Sequence, residues 1–233
     1  MIVGVSLKKI NESLQNFDLA LDKIDGILIT HEHSDHTLSL GTIIKKYNIP
    51  IYSNKETALA IKNINSFDNF NYFKIDEEFW INDLQIKPFS IPHDAANPCG
   101  FSIYNSGKKM TIATDLGHMN NYLLENLKYS NLLLLESNYE PEMLSCSKYP
   151  YSLKQRISGP KGHLPNSIAG QTISYLYNYN LETVLLGHLS KESNIPELAY
   201  QSVISELHSN NIDLNKINIE VASRDKNGEL IKL

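Results

Sequence analysis

Apolar residues in this chain fall either in short unbroken runs or at helical spacing, and the two patterns alternate along the sequence. Ile24-Asp25-Gly26-Ile27-Leu28-Ile29-Thr30 predicts a short, largely buried strand. Leu38, Leu40, Ile43, Ile44 and Tyr47 then recur at the spacing of one helix face. Asn48-Ile49-Pro50 ends that helix, and Ile51-Tyr52-Ser53 opens another strand. Residues 56–64 read as helix. Residues 79–91 read as two strands joined at Asn82-Asp83, and residues 100–104 and 109–113 as a hairpin turning at Asn105-Ser106-Gly107. Strands at 132–135, 184–186 and 217–221 then alternate with helices at 167–177 and 195–209. Early hairpins followed by alternating strands and helices predict a layered α/β fold, with residues 1–233 forming one domain.

Composition adds bounds. The 233 residues are enough for a substantial core, and 42% hydrophobic content is ordinary for a globular chain. A formal net charge of −5 gives no global signature of nucleic-acid binding, although a local basic patch stays open. The two cysteines, Cys99 and Cys146, are too few for a disulfide framework and point to a reducing compartment. No apolar run reaches the ~18 residues of a membrane span, and the polar sequence that follows the first nine residues gives no signal peptide. The expectation is a cytoplasmic protein, with association into a homo-oligomer left open.

Chemistry concentrates at Thr30-His31-Glu32-His33-Ser34-Asp35-His36, directly after a predicted strand. A strand end is a rigid mount, and the loop after it lets alternate side chains converge. Neutral imidazole and carboxylate suit divalent Zn, Mn or Fe. The bland alternative, a polar loop in which Ser34 or Asp35 caps a helix, explains one histidine better than three. Three later strand ends carry His93 (Ser90-Ile91-Pro92-His93), Asp115 (Thr111-Ile112-Ala113-Thr114-Asp115) and His188 (Val184-Leu185-Leu186-Gly187-His188). Taken singly, each is an ordinary turn or capping residue.

Together, in this order, these motifs resemble the metallo-β-lactamase fold superfamily. The further stretches Pro92-His93-Asp94-Ala95-Ala96-Asn97-Pro98, Leu135-Glu136-Ser137-Asn138, Tyr149-Pro150-Tyr151-Ser152-Leu153-Lys154 and Gly162-His163-Leu164-Pro165-Asn166 resemble its YycJ/WalJ-like branch, related to the ribonuclease Z type. The resemblance implies a four-layer αββα sandwich and two divalent metal ions. His31, His33 and His93 would hold one ion, Asp35, His36 and His188 the other, with Asp115 bridging and Asp35 also counted as catalytic. Two ions about 3.5–4 Å apart can share a hydroxide and stabilise attacking and leaving oxygens together.

The same resemblance implies nuclease activity, plausibly 5′→3′ on DNA rather than RNA. It places His163 beside the scissile phosphate, as a proton donor or phosphate ligand. Lys154, Arg156, Lys161 and Asn166 are candidate contacts to a phosphodiester backbone; a solvated mixed-charge surface explains the three basic residues equally well. The chain departs from the branch in two places. It begins after the position where family members carry further N-terminal strands, which implies a truncated first sheet. Tyr139 stands where the branch has His. Two other functions stay open: a thioester or ester hydrolase of the glyoxalase II or lactonase kind, and a weakly active metal-binding chain.

Overall fold

The computed structural model describes residues 3–62, 64, 68–223 and 226–233. They divide into two compact units, Met1–Ser90 with Ala95–Cys99, and Ile91–Asp94 with Gly100–Leu233. Among the described residues no helix is long and apolar enough to cross a membrane.

The first unit opens with α1 (Leu7–Gln15), started by the Ser6 hydroxyl accepting from the Lys9 N–H. Then come β1 (Ile27–Leu28), α2 (Ser34–Thr37), α3 (Leu40–Lys46), β2 (Ile51–Ser53), α4 (Lys55–Ala60), β3 (Phe70–Tyr72), β4 (Phe79–Ile81) and β5 (Leu84–Ser90). Strands β1, β2 and β3 form a parallel sheet in that order, with Ile27 opposite Ile51 and Ile51 opposite Phe70. Strands β4 and β5 are an antiparallel hairpin turning where predicted, with Asn82 in the left-handed region at φ 52°. Ile10, Leu21, Ile27, Ile29, Leu40, Ile43 and Ile51 pack into one core cluster.

Two expectations change here. The helix expected over 38–47 is interrupted at Ser39, whose N–H bonds to Val3 O (3.0 Å) and whose hydroxyl bonds to Val5 O. That tie to the N-terminal segment delays the helix to α3 (Leu40–Lys46), separate from the short α2 before it, and leaves Leu38 62% exposed. The helix expected over 56–64 is observed as α4 but stops at Ala60; Asn63, within that range, lies outside the described residues.

The second unit contains β6 (Cys99–Asn105), β7 (Lys108–Ala113), α5 (Asn121–Leu127), β8 (Leu132–Glu136), α6 (Pro141–Cys146), α7 (Tyr151–Ile157), α8 (Asn166–Leu176), β9 (Thr183–Gly187), α9 (Pro196–Ser209) and β10 (Asn218–Val221). Its strands run in the order β10-β9-β8-β7-β6. The β6–β7 pair is antiparallel and turns through Ser106 and Gly107, both at positive φ. Strands β7, β8, β9 and β10 are parallel, with Ile112 opposite Leu134, Leu134 opposite Leu185, and Leu186 opposite Val221. Strands buried on both faces need near-continuous apolar sequence. Leu133, Leu135, Val184 and Leu186 are fully buried accordingly. Gly170 lets α8 press on α9: a Cβ there would lie 2.6 Å from Glu206 Cβ. Because the four strands are parallel, their carboxyl ends face one way, with Glu136 as the last residue of β8 and Asp115 and His188 on the loops leaving β7 and β9.

Candidate metal centre

The first histidine cluster lies between β1 and α2. Its entry is fixed by the Cys99 N–H donating to Thr30 O (3.0 Å). The Thr30 hydroxyl lies 3.1 Å from Nδ1 of His31 and 3.1 Å from Nδ1 of His36, so one side chain orients both rings. His31 Nε2 is 3.1 Å from His33 Nδ1. That separation is close to the ~3.3 Å edge of a tetrahedron with metal–nitrogen bonds of ~2.0–2.1 Å. The His31 and His36 rings are 4.0 Å apart. The Asp35 carboxylate is 3.8 Å from His36 Nε2 and 64% exposed. Glu32 turns elsewhere and accepts from the Ala96 N–H (2.8 Å).

The second unit gathers His93, Asp115, His163 and His188, together with Glu136. Asp115 and His188 follow β7 and β9 with left-handed backbones, φ 62° and 57°. Such conformations are costly for non-glycine residues and persist where the surroundings hold them. Asp115 Oδ1 lies 3.6 Å from His93 Nε2, 3.5 Å from His188 Nε2 and 3.8 Å from His163 Nδ1. One ligand atom each from Asp115, Glu136, His163 and His188 falls within 4.8 Å of the others.

Glu136 organises this cluster. It is fully buried at the end of β8. Its Oε1 lies 2.9 Å from His163 Nδ1 and 2.8 Å from His188 Nδ1. Its Oε2 accepts from the N–H groups of Leu116 (2.7 Å) and Leu164 (3.0 Å). A carboxylate holding Nδ1–H leaves Nε2 as the lone-pair nitrogen, the arrangement that supports metal-ligating histidines. His93 follows the same logic with a carbonyl, its Nδ1 lying 3.2 Å from Gly162 O. Gly162 permits that approach, since a Cβ there would lie 2.1 Å from Ile157 O.

Electrostatics follow from this geometry. Burial pushes the Glu136 carboxyl up, but hydrogen bonds from His163 and His188 outweigh it and hold the pKa below its usual value. Burial pushes His163 down, and the Glu136 partnership reverses this, leaving its pKa raised. For His93 burial wins over the Asp115 charge, so its pKa is lowered and the neutral, ligating form is favoured. Neutral imidazoles converging on buried carboxylates are a donor set that fits a divalent metal.

The expected substrate contacts are spread more widely. Lys154 donates to Ser145 O (2.6 Å). Arg156 grips the Asp94 carboxylate through Nε (2.5 Å) and Nη2 (3.0 Å). Lys161 is exposed. Asn166 departs from the expectation of a substrate contact: it is fully buried and bonded to Ser137, Glu140 and Asn194, which makes it a brace between loops. Glu136 is the residue that sequence reasoning passed over. Its one trace in the sequence is a lone carboxylate closing a run of four leucines, which says nothing of its partners.

A mixed α/β fold with imidazoles and carboxylates on strand-end loops defines a metallohydrolase class. The chain belongs to the β-lactamase superfamily: the family model described as "Beta-lactamase superfamily domain" matches residues 9–189. It is 33% identical over 204 residues to "Exodeoxyribonuclease YycJ" of Bacillus anthracis, covering 86% of this chain and 77% of that one. It is 32% identical over 209 residues to "Exodeoxyribonuclease WalJ" of Streptococcus pneumoniae (strain D39), covering 88% and 78%. The Zn(2+)-bound PqqB structure from Methylobacterium extorquens superposes with a TM-score of 0.63 at 14% identity, covering 89% of this chain and 73% of that one, which shows the shared fold. The metallo-β-lactamase fold, with these His, Asp and Glu clusters, implies divalent metal binding.

Proposed function

We propose that this chain is a metal-dependent nuclease that hydrolyses phosphodiester bonds in DNA, removing nucleotides in the 5′→3′ direction. The observation that carries the reading is the pair His163 and His188 held by buried Glu136 beside Asp115. The two named exodeoxyribonuclease relatives support the substrate class. The family match runs across both units, which supports one functional domain. Cys99 and Cys146 are free thiols, in keeping with action in the cytosol.

The ligand set implied by the resemblance, His31, His33, Asp35, His36, His93, Asp115 and His188, suits two divalent ions such as Zn, Mn or Fe. Bound metal supplies Lewis acidity and a water of lowered pKa. The protein's own groups supply the rest. Glu136 fixes the His163 and His188 rings through Nδ1. His163, its pKa raised by the Glu136 partnership, is the group placed to deliver a proton from Nε2 to the oxygen that leaves phosphorus. Gly162 brings the His93 ring and the His163 loop together through one carbonyl contact.

The test is protein loaded with Mn or Zn, given end-labelled duplex DNA, single-stranded DNA and RNA beside a thioester. Stepwise loss of the label from DNA, abolished by chelator, is expected. Intact nucleic acid with a consumed thioester would assign the chain to the glyoxalase-like reading instead.

A further inference from the structure

A cavity of about 490 Å³ lies within the second unit, and the reaction just described does not use it. Its size is within the ~300–1,000 Å³ usual for small-molecule sites. Two of its wall segments leave the candidate centre directly. Gly117 is two residues beyond Asp115, and Leu164 is the neighbour of His163. Apolar walls come from Leu124, Leu164 and Ile168, and aromatic walls from Tyr139 and Tyr175. Tyr175 is 44% exposed, with Lys128 Nζ over its ring at 5.5 Å from the centroid and the Tyr179 ring at 5.8 Å.

The polar groups are few. Gln171 is exposed and offers an amide with both donors and an acceptor. The Thr172 hydroxyl already donates to Ile168 O (2.8 Å) and retains acceptor capacity. His118 Nδ1 lies 2.9 Å from Pro160 O, which leaves Nε2 for a ligand. No Lys, Arg, Asp or Glu is among the residues lining the cavity. The cation beside Tyr175, Lys128, is already paired with Glu125 (2.5 Å). A flat, uncharged ring with a hydrogen-bonding edge would find stacking surface and an amide to read it.

We infer that this cavity is a nucleobase subsite: it receives one unstacked base of the strand whose phosphate is being cleaved, with Tyr175 as the stacking plane and Gln171 at the base edge. The inference rests on the nuclease reading and extends it to a demand for a single-stranded end. Base–aromatic stacking tolerates every base, and a glutamine amide pairs best with adenine.

The experiment uses metal-loaded full-length protein and short single-stranded DNA with one abasic site moved along the strand. Wild type should lose cleavage efficiency by roughly 5- to 150-fold at one position, the range of a lost base–aromatic stack. Tyr175→Ala should cut intact DNA poorly and no longer sense the abasic site, whereas Tyr175→Phe should retain the dependence. Gln171→Ala should flatten any preference for adenine at that position. Melting temperatures and metal content close to wild type separate this from damage to the fold. Uniform tolerance of abasic sites by wild type, or an unchanged positional dependence in Tyr175→Ala, overturns the subsite. If wild type cuts no oligonucleotide at all, equilibrium dialysis with deoxyadenosine decides the matter. Saturable binding lost in Tyr175→Ala upholds the subsite while the nuclease reading fails; no binding overturns both.

Discussion

The two ends of the parallel strands β7, β8 and β9 are both polar and densely hydrogen-bonded, yet they are built to opposite purposes. At the amino ends, Glu182 receives Lys108 Nζ (2.8 Å) and Asn131 Nδ2 (2.7 Å), and Asn131 Oδ1 accepts from the Lys109 N–H (2.9 Å). Acid is matched with base and amide, and the side chains of Lys108 and Glu182 remain 39% and 50% exposed. At the carboxyl ends, Glu136 is fully buried, its partners are imidazoles, and Asp115 is 2% exposed. One end joins strands and satisfies itself. The other holds lone-pair nitrogens and buried carboxylates in fixed positions, with two residues kept in left-handed backbone conformations. Ligands in open α/β sheets bind outside the carboxyl ends of strands, and these side chains show the physical content of that rule.

The sharpest way to break the comparison is Asp115→Asn. Asparagine tolerates the left-handed backbone as well as aspartate does, so the change removes charge and little else. Turnover on DNA should fall beyond the ~100-fold that marks the upper end for supporting residues, as read from initial rates with metal in excess. His163→Ala should lower turnover by about 100- to 10,000-fold, the usual worth of a general acid, with metal content unchanged. An unaltered rate would remove His163 from the reaction and leave the metal centre standing.

Glu136→Gln comes next. The amide cannot accept from two imidazoles and two backbone N–H groups as the carboxylate does. Metal affinity should weaken by ~10- to 100-fold in competition with a chelating dye, and the melting temperature should drop. The smallest effect belongs to the opposite end. Glu182→Gln should cost at most ~1 kcal/mol, because its ion pair with Lys108 is exposed, and should leave turnover unchanged. Hydrogen bonds from Lys108 hold the Glu182 pKa below its usual value. Its contribution to stability is therefore present above the unfolded carboxyl pKa and lost as the pH falls through the folded one. The difference in melting temperature between wild type and variant should shrink to nothing in acid.

The contrast between the two ends was only partly legible in the sequence. The His31-to-His36 run, and the strands ending near His93, Asp115 and His188, announce themselves because apolar runs stop at ionisable residues. The hairpins at Asn82-Asp83 and Ser106-Gly107 were equally readable, since their turn chemistry is local. Glu136 was not, because one carboxylate after four leucines gives no hint of four converging donors. The bracing contacts of Asn166 were hidden for a similar reason: its partners Ser137, Glu140 and Asn194 are distant in sequence. Helices α5, α6 and α7 are short and bury few residues, so their periodicity was weak. The break at Ser39 depends on a tie to Val3 and Val5 that no local pattern encodes.

The central claim, that these strand-end residues form a divalent metal centre, is tested most directly by counting metal. Wild type, Asp115→Asn and Glu182→Gln would be reconstituted with Zn or Mn, passed over a desalting column, and assayed by elemental analysis against protein concentration. Close to two ions per chain are expected in wild type and in Glu182→Gln, with a marked fall in Asp115→Asn. Wild-type protein that retains no metal after reconstitution, or an Asp115→Asn variant that retains as much as wild type, would contradict the account.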